Sequence, residues 1–180
     1  MTITSPGNAR KVITVGSLTD SGTGTNYADD YVSSYSSRGP TMLDHVLKPD
    51  LVAPGNRWVA TVGTNSNMRS FMPERVPNCG GSCTGKYLEL SGTSMSAAMV
   101  SGTALLMLTK DPTMNPATIK ARLMRSARKI GGDPTATGAG VLNVQAALNQ
   151  SGWVSGQALS PKMARKGDAS VMMVEDTAKL

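Results

Sequence analysis

Apolar and polar positions divide the chain into an early part of short apolar runs and a later part with a helical period. Val12-Ile13-Thr14-Val15-Gly16 is a β-branched run closed by glycine, which predicts a buried strand. Residues 17–30 are rich in Ser, Thr, Gly and Asp and predict a loop. Residues 31–35 alternate weakly, as a strand would, before Ser36-Ser37-Arg38-Gly39-Pro40 turns the chain. Asp50-Leu51-Val52-Ala53-Pro54-Gly55 predicts a strand stopped by a Pro-Gly turn, and residues 58–62 a further strand. Residues 65–86 predict irregular structure. Tyr87-Leu88-Glu89-Leu90 predicts a brief strand leading into Ser91-Gly92-Thr93-Ser94.

From Met95 the period changes. Met95, Ala98, Met99, Gly102, Leu105, Leu106 and Leu108 make a helix with little polar surface, expected to be buried, that stops near Lys110 before Asp111-Pro112. Asn115 and Pro116 are an N-cap and first-position pair for a second helix, with Ile119, Leu123, Met124 and Ala127 on one face and Gly131-Gly132 beyond its end. Gly138-Ala139-Gly140-Val141-Leu142 reads as extended, and Asn143 caps a short helix over residues 144–148. Strands followed by helices predict an α/β domain over residues 1–150. Residues 151–180 lose the period and are expected to be a linker or tail with one weak strand at Val171-Met172-Met173-Val174.

Composition narrows the classes. The chain is 39% apolar and 17% charged over 180 residues, which suits one globular domain rather than a disordered chain. With one Phe, two Trp and four Tyr, stacking on nucleic-acid bases is poorly served. The net charge of +6 is dispersed apart from Arg122-Arg125-Arg128-Lys129 and Lys162-Arg165-Lys166. A solvated basic surface accounts for it, with nucleic acid as the lesser partner. No apolar run reaches membrane-span length, and Met1-Thr2-Ile3-Thr4 lacks a signal layout, so a signal for a secreted parent would lie outside this sequence. Cys79 and Cys83 enclose Gly80-Gly81-Ser82. Two Cys and one His are too few for a structural zinc, leaving a short disulfide loop or two free thiols.

The candidate chemistry centres on Ser94. A serine at a strand-to-helix turn has an exposed hydroxyl beside helix N–H groups that lack internal partners, where negative charge is favoured. Such a serine is either a nucleophile beside an oxyanion site or an N-cap. Ser91-Gly92-Thr93-Ser94-Met95-Ser96-Ala97-Ala98 resembles the nucleophile motif of the subtilases, the subtilisin-like serine peptidases. Three further segments resemble the family in the same order. They are Ser5-Pro6-Gly7-Asn8-Ala9 leading into residues 12–16, the pair Tyr35–Thr41 and Lys48–Gly55, and residues 138–148.

The resemblance implies a C-terminal half of a subtilase catalytic domain: a partial parallel-sheet α/β sandwich, rearranged or associated because its first half is absent. It implies peptide hydrolysis through an acyl-enzyme on Ser94, with the Ser94 N–H as oxyanion donor, Thr93 in support and Gly92 beside the bound peptide. In this family the triad runs Asp, His, Ser, and the motifs for the Asp, the His and the oxyanion Asn have no match here. Ala98-Met99 stands where the family has Pro-His. His45, the one imidazole, and Lys86 are the local candidates for a substitute base. With no base, residual ester hydrolysis is more credible than peptide hydrolysis. Two other readings are an ester hydrolase using Ser94 with His45 and an inactive subtilase-derived binding or structural module. Expected partners are a peptide or ester substrate, a second copy of the chain or a complementary N-terminal half, and no membrane. No cofactor is expected. Calcium in the loop of Asp20, Asp29 and Asp30 is the alternative, without an EF-hand spacing. The resemblance implies an extracytoplasmic location for the parent protein.

Overall fold

A computed structural model describes residues 2–24, 26–63, 65–78, 86–168 and 170–180. The Cys79–Cys83 loop therefore lies outside the described residues. The elements are β1 (Val15–Thr19), β2 (Tyr31–Val32), β3 (Leu51–Pro54), β4 (Trp58–Thr61), α1 (Met68–Phe71), β5 (Tyr87–Leu90), α2 (Thr93–Lys110), α3 (Pro116–Ser126), α4 (Pro134–Thr137), α5 (Val144–Asn149), β6 (Lys162–Arg165) and β7 (Val171–Val174).

β1 is central in its sheet. It pairs in parallel with β3, from Val15 opposite Leu51 to Leu18 opposite Pro54, and antiparallel with β2. Alternation across the pleat separates two faces. Leu51 and Ala53 meet Val100 and Met107 of α2, together with Ile119 and Leu123 of α3 and Ala147 of α5. Val52 turns to the other face, against Leu18 and Val141. β4–β5 and β6–β7 are separate antiparallel hairpins.

The helix starts follow the caps read from the sequence. The Asn115 side chain accepts from the Thr118 N–H at 2.7 Å, and Asn143 accepts from Ala146 at 2.9 Å. Asn115→Ala is expected to lower stability by about 1 kcal/mol, read as a shift in the urea midpoint; no shift would mean the cap is idle.

Several elements differ from their sequence reading: α1 forms within residues 65–86, read as irregular, β2 keeps only two of the five residues expected to be extended, and β6 was not expected. β1 begins at Val15 because residues 12–14 give backbone groups to buried side chains: the Val12 carbonyl to Lys48 and Lys120, and the Thr14 N–H to Asp50. α4 was not foreseen, although Asp133-Pro134 is the same cap and first-position pair, with Asp133 accepting from Thr135 at 2.8 Å. The expected burial of α2 holds for one side only. Ser96, Val100, Thr103 and Met107 are buried, whereas Ala97, Ala98, Ser101 and Gly102 are exposed with Leu105 at 65% and Leu106 at 50%.

Residues 151–180, read from sequence as a linker or tail, fold back on the domain. Val154, Ala158 and Ala178 close a small core with Ala121 of α3. The Asn115 amide donates to the Val154 carbonyl, and the Ser160 N–H donates to the Arg10 carbonyl. Beneath this strap lies a buried charge cluster. Asp50 Oδ2 accepts from Lys48 Nζ at 2.7 Å, and Asp50 Oδ1 lies 3.3 Å from Lys120 Nζ. Lys120 also donates to Ser160 Oγ at 2.7 Å and to the Arg10 carbonyl at 2.7 Å.

Burial lowers the pKa of both lysines despite Asp50, Lys120 to about 8 from an ordinary 10.5. A depressed lysine is a penalty on the fold while both states are protonated. For Lys120 that penalty is full below pH about 8 and is relieved as pH rises towards 10.5, because the unfolded chain then binds more protons. Urea titrations across this window should show stability rising relative to a Lys120→Met variant. A constant difference between the two proteins would contradict the assignment.

Candidate active site

β5 carries the chain to the turn that precedes α2. Two bonds pin that turn to the end of β3: the Ser91 hydroxyl accepts from the Arg57 N–H at 2.8 Å, and the Gly92 N–H donates to the Gly55 carbonyl at 2.8 Å. Gly92 is the N-cap, so Ser94 is the second residue of an 18-residue helix rather than its cap. Ser94 is exposed and Thr93 half-buried. At that position the Ser94 N–H has no partner within the helix, and the helix N-terminus favours a developing negative charge.

Gly55 is the hub below the turn. Its N–H donates to the Leu18 carbonyl at 3.0 Å, and its carbonyl also accepts the Tyr35 hydroxyl at 3.0 Å. A Cβ here would overlap Ser96 Oγ and stand 2.5 Å from Ser17 Oγ, so the close approach of β3 to α2 requires glycine. The Tyr35 hydroxyl extends into a relay with Ser17, Ser33 and Thr19 at 2.9–3.0 Å. Each hydroxyl has one proton. Since Tyr35 donates to Gly55, the donors must run from Thr19 through Ser33 and Ser17 to Tyr35. Ser17, Tyr35, Gly55 and Ser96 were not singled out from sequence. The Pro54-Gly55 turn and the serine after Gly16 were the available signals.

Ser96 Oγ is buried without a hydrogen-bond partner among the described residues. Removing such a hydroxyl removes an uncompensated desolvation cost. Ser96→Ala is expected to be neutral or to stabilise by about 1 kcal/mol in urea unfolding; a clear loss of stability would mean that the hydroxyl is partnered.

Two concavities flank the turn. One, of about 230 Å³, is lined by Thr93, Gly7, Thr14, Gly16, Ser37 and Pro49. The other, of about 600 Å³, is lined by Asp20, Arg57, Trp58 and Glu89. The Arg57 side chain, hydrogen-bonded to Glu89 at 3.0 Å, holds that carboxyl below its ordinary range.

The other sequence candidates are not brought to Ser94. His45 is exposed in the turn that precedes β3, and its carbonyl accepts from Met163 of β6 at 2.8 Å. Ser94 lies beyond the opposite end of β3, past Gly55. Lys86 stands before β5, at the far end of that strand from the turn. No described side chain hydrogen-bonds the Ser94 hydroxyl. In the Asp20 loop, Asp20 accepts from the Gly22 N–H, Asp29 from Thr23, and Asp30 pairs with Arg128 at 2.6 Å. Among the described residues no group of three or more metal-ligating side chains forms. Likewise, no helix among them is long and apolar enough to cross a membrane. Of Ala98-Met99, Ala98 is exposed and Met99 packs on the core.

Comparison with known proteins adds to this geometry. The family model described as "Subtilase family" matches residues 1–154. Serine protease AprX of Bacillus subtilis is 38% identical over 146 residues, which are 80% of this chain and 31% of AprX. Subtilisin-like protease SBT1.3 of Arabidopsis thaliana is 42% identical over 101 residues, 53% of this chain and 12% of that protein. Among solved structures, fervidolysin from Fervidobacterium pennivorans, described as a keratinolytic enzyme related to subtilisin, superposes with a TM-score of 0.63 at 31% identity, covering 82% of this chain and 20% of that one. The CspB protease of Clostridium perfringens gives a TM-score of 0.59 at 26% identity, over 82% of this chain and 28% of that one. The chain thus spans about a third of AprX, and less of the plant relative and of both structures.

Proposed function

The chain belongs to the subtilase family, and from that membership we propose that Ser94 is the nucleophile of a serine peptidase whose base and second oxyanion donor come from polypeptide outside these 180 residues. The observation that carries this reading is the exposed Ser94 hydroxyl at the second position of α2, on a turn locked by the Gly92–Gly55 bond. In the reaction Ser94 Oγ bonds to the peptide carbonyl carbon as its proton passes to the base. The carbonyl oxygen gathers negative charge against the Ser94 N–H and the second donor. The C–N bond then breaks, the amine leaves with the proton from the base, and water later releases the acyl group by the same path. The recess of about 230 Å³ beside Thr93 takes a substrate side chain next to the scissile bond.

The bare face of α2 receives the polypeptide that supplies the base. Leu105 and Leu106 lie on the helix that presents Ser94, so a segment docked there is held in register with the nucleophile. The ester hydrolase reading finds no base in His45, which sits at the other end of β3. An inactive module would have no use for an exposed Ser94 beside free helix N–H groups.

The test is a fluorophosphonate probe applied to the chain alone and to the chain mixed with the part of a subtilase catalytic domain that carries the family Asp, His and Asn motifs. Labelling of Ser94 in the mixture, located by mass spectrometry, is the expected result; a probe that never labels Ser94 in the mixture overturns the proposal. A Leu105→Asp, Leu106→Asp variant should abolish labelling in the mixture while leaving thermal unfolding unchanged. Labelling as strong as in the parent would remove this face from the docking surface.

A further inference from the structure

A third hollow, mostly apolar, is unrelated to Ser94. It has a volume of about 510 Å³ and opens where the β6–β7 hairpin lies over the end of α3 and the turn around α4. Its apolar lining includes Leu47, Met124, Ile130, Met163, Met172 and Met173. Leu47 precedes β3, so the hollow stands at the end of that strand remote from the nucleophile turn. Four methionines among these six give a flexible, polarisable wall that adjusts to an apolar guest. The volume falls within the roughly 300–1,000 Å³ of small-molecule sites, which are mostly apolar with a few placed polar groups.

The charged groups are Arg125, Lys129, Asp50 and Asp176. Asp50 is consumed by Lys48 and Lys120 in the buried cluster. Arg125 is fixed by Asp176 at 3.0 Å and by the Ala178 carbonyl at 2.9 Å. Lys129 donates to the Ala139 carbonyl at 2.5 Å and forms no ion pair among the described residues. The mouth therefore carries one cation whose charge no carboxylate balances, beside an Arg already satisfied. An anionic head can join Lys129 without displacing a protein carboxylate.

We propose that this hollow is a binding site for a single-chain amphiphilic carboxylate of the fatty-acid class, its tail among the methionines and its carboxylate on Lys129. A bare hydrocarbon would leave the cation unused, and a hydrophilic anion would leave the methionine wall wet. The site is independent of the Ser94 chemistry.

The experiment is isothermal titration of the chain with dodecanoate below its critical micelle concentration, with dodecanol and phosphatidylcholine vesicles as comparison ligands. Saturable binding of one dodecanoate is expected, with dodecanol at least tenfold weaker. Lys129→Glu should weaken dodecanoate at least tenfold and leave dodecanol unchanged. Met173→Asp should remove both. These side chains are exposed, so thermal unfolding of each variant should match the parent and separates lost binding from lost fold. The proposal is overturned by absence of saturable dodecanoate binding, by equal affinity for dodecanol, by an unchanged Lys129→Glu variant, or by uptake on vesicles alone.

Discussion

Ser94→Ala in the chain paired with the upstream half of a subtilase is expected to abolish fluorophosphonate labelling and to reduce peptide hydrolysis by about a millionfold, the loss found for the nucleophile of subtilisin itself. The size follows from the division of labour. Without the hydroxyl no acyl-enzyme forms, and only binding and the oxyanion site act on the attack of water, roughly a thousandfold over the uncatalysed rate. Binding should be spared, because the turn is held by backbone groups of Gly92 and Gly55 and by Ser91, none of which the substitution alters. The Michaelis constant should therefore change little while kcat collapses. Turnover surviving within tenfold of the parent would mean that Ser94 is not the nucleophile.

The second large effect concerns the fold. Asp50→Ala is expected to cost about 3–5 kcal/mol, the range for removing one partner of a buried ion pair. The substitution strands two ammonium groups, Lys48 and Lys120, in a region where both are already depressed by burial. It also takes an acceptor away from Ser160 Oγ and from the Thr14 N–H, so the strap over residues 151–161 loses one of its contacts at the same point. Against a total stability of about 5–15 kcal/mol for an ordinary domain, such a loss places the variant near unfolding. Urea denaturation at pH 7 measures it, and a loss below about 1 kcal/mol would show that the cluster is relaxed by water. Asp50→Ala with Lys48→Met and Lys120→Met should recover much of the loss, since replacing a buried ionic group wholesale by apolar side chains is often neutral.

Some of this was legible along the chain because its cause is local. An Asn before Pro or before an apolar run caps a helix through its own side chain, and Asn115 and Asn143 do so where expected. The strand at Tyr87–Leu90, the turn and the helix after Ser94 follow from a change of period across four small residues. The family motif at Ser91–Ala98 was recognisable because the residue types that carry the resemblance stand within eight positions. Other features depend on residues far apart. Lys48-Pro49-Asp50 reads equally well as a charged surface turn. It becomes a buried cluster only when Lys120, Ser160 and the Arg10 and Val12 carbonyls converge on it from distant segments. The exposed side of α2 was likewise hidden, since an apolar helix does not state which side its neighbours cover.

By itself the sequence determined the family, the α/β order of elements and the position of Ser94 at the head of α2, because each depends on spacing and residue type within a short segment. Tertiary structure decided the rest. It seated Gly55 under the turn where no Cβ fits, set His45 at the opposite end of β3 from Ser94, folded residues 151–180 onto Lys120, and left Leu105 and Leu106 bare. These are matters of which distant segments meet, and burial, close approach and shared charge exist only once they do.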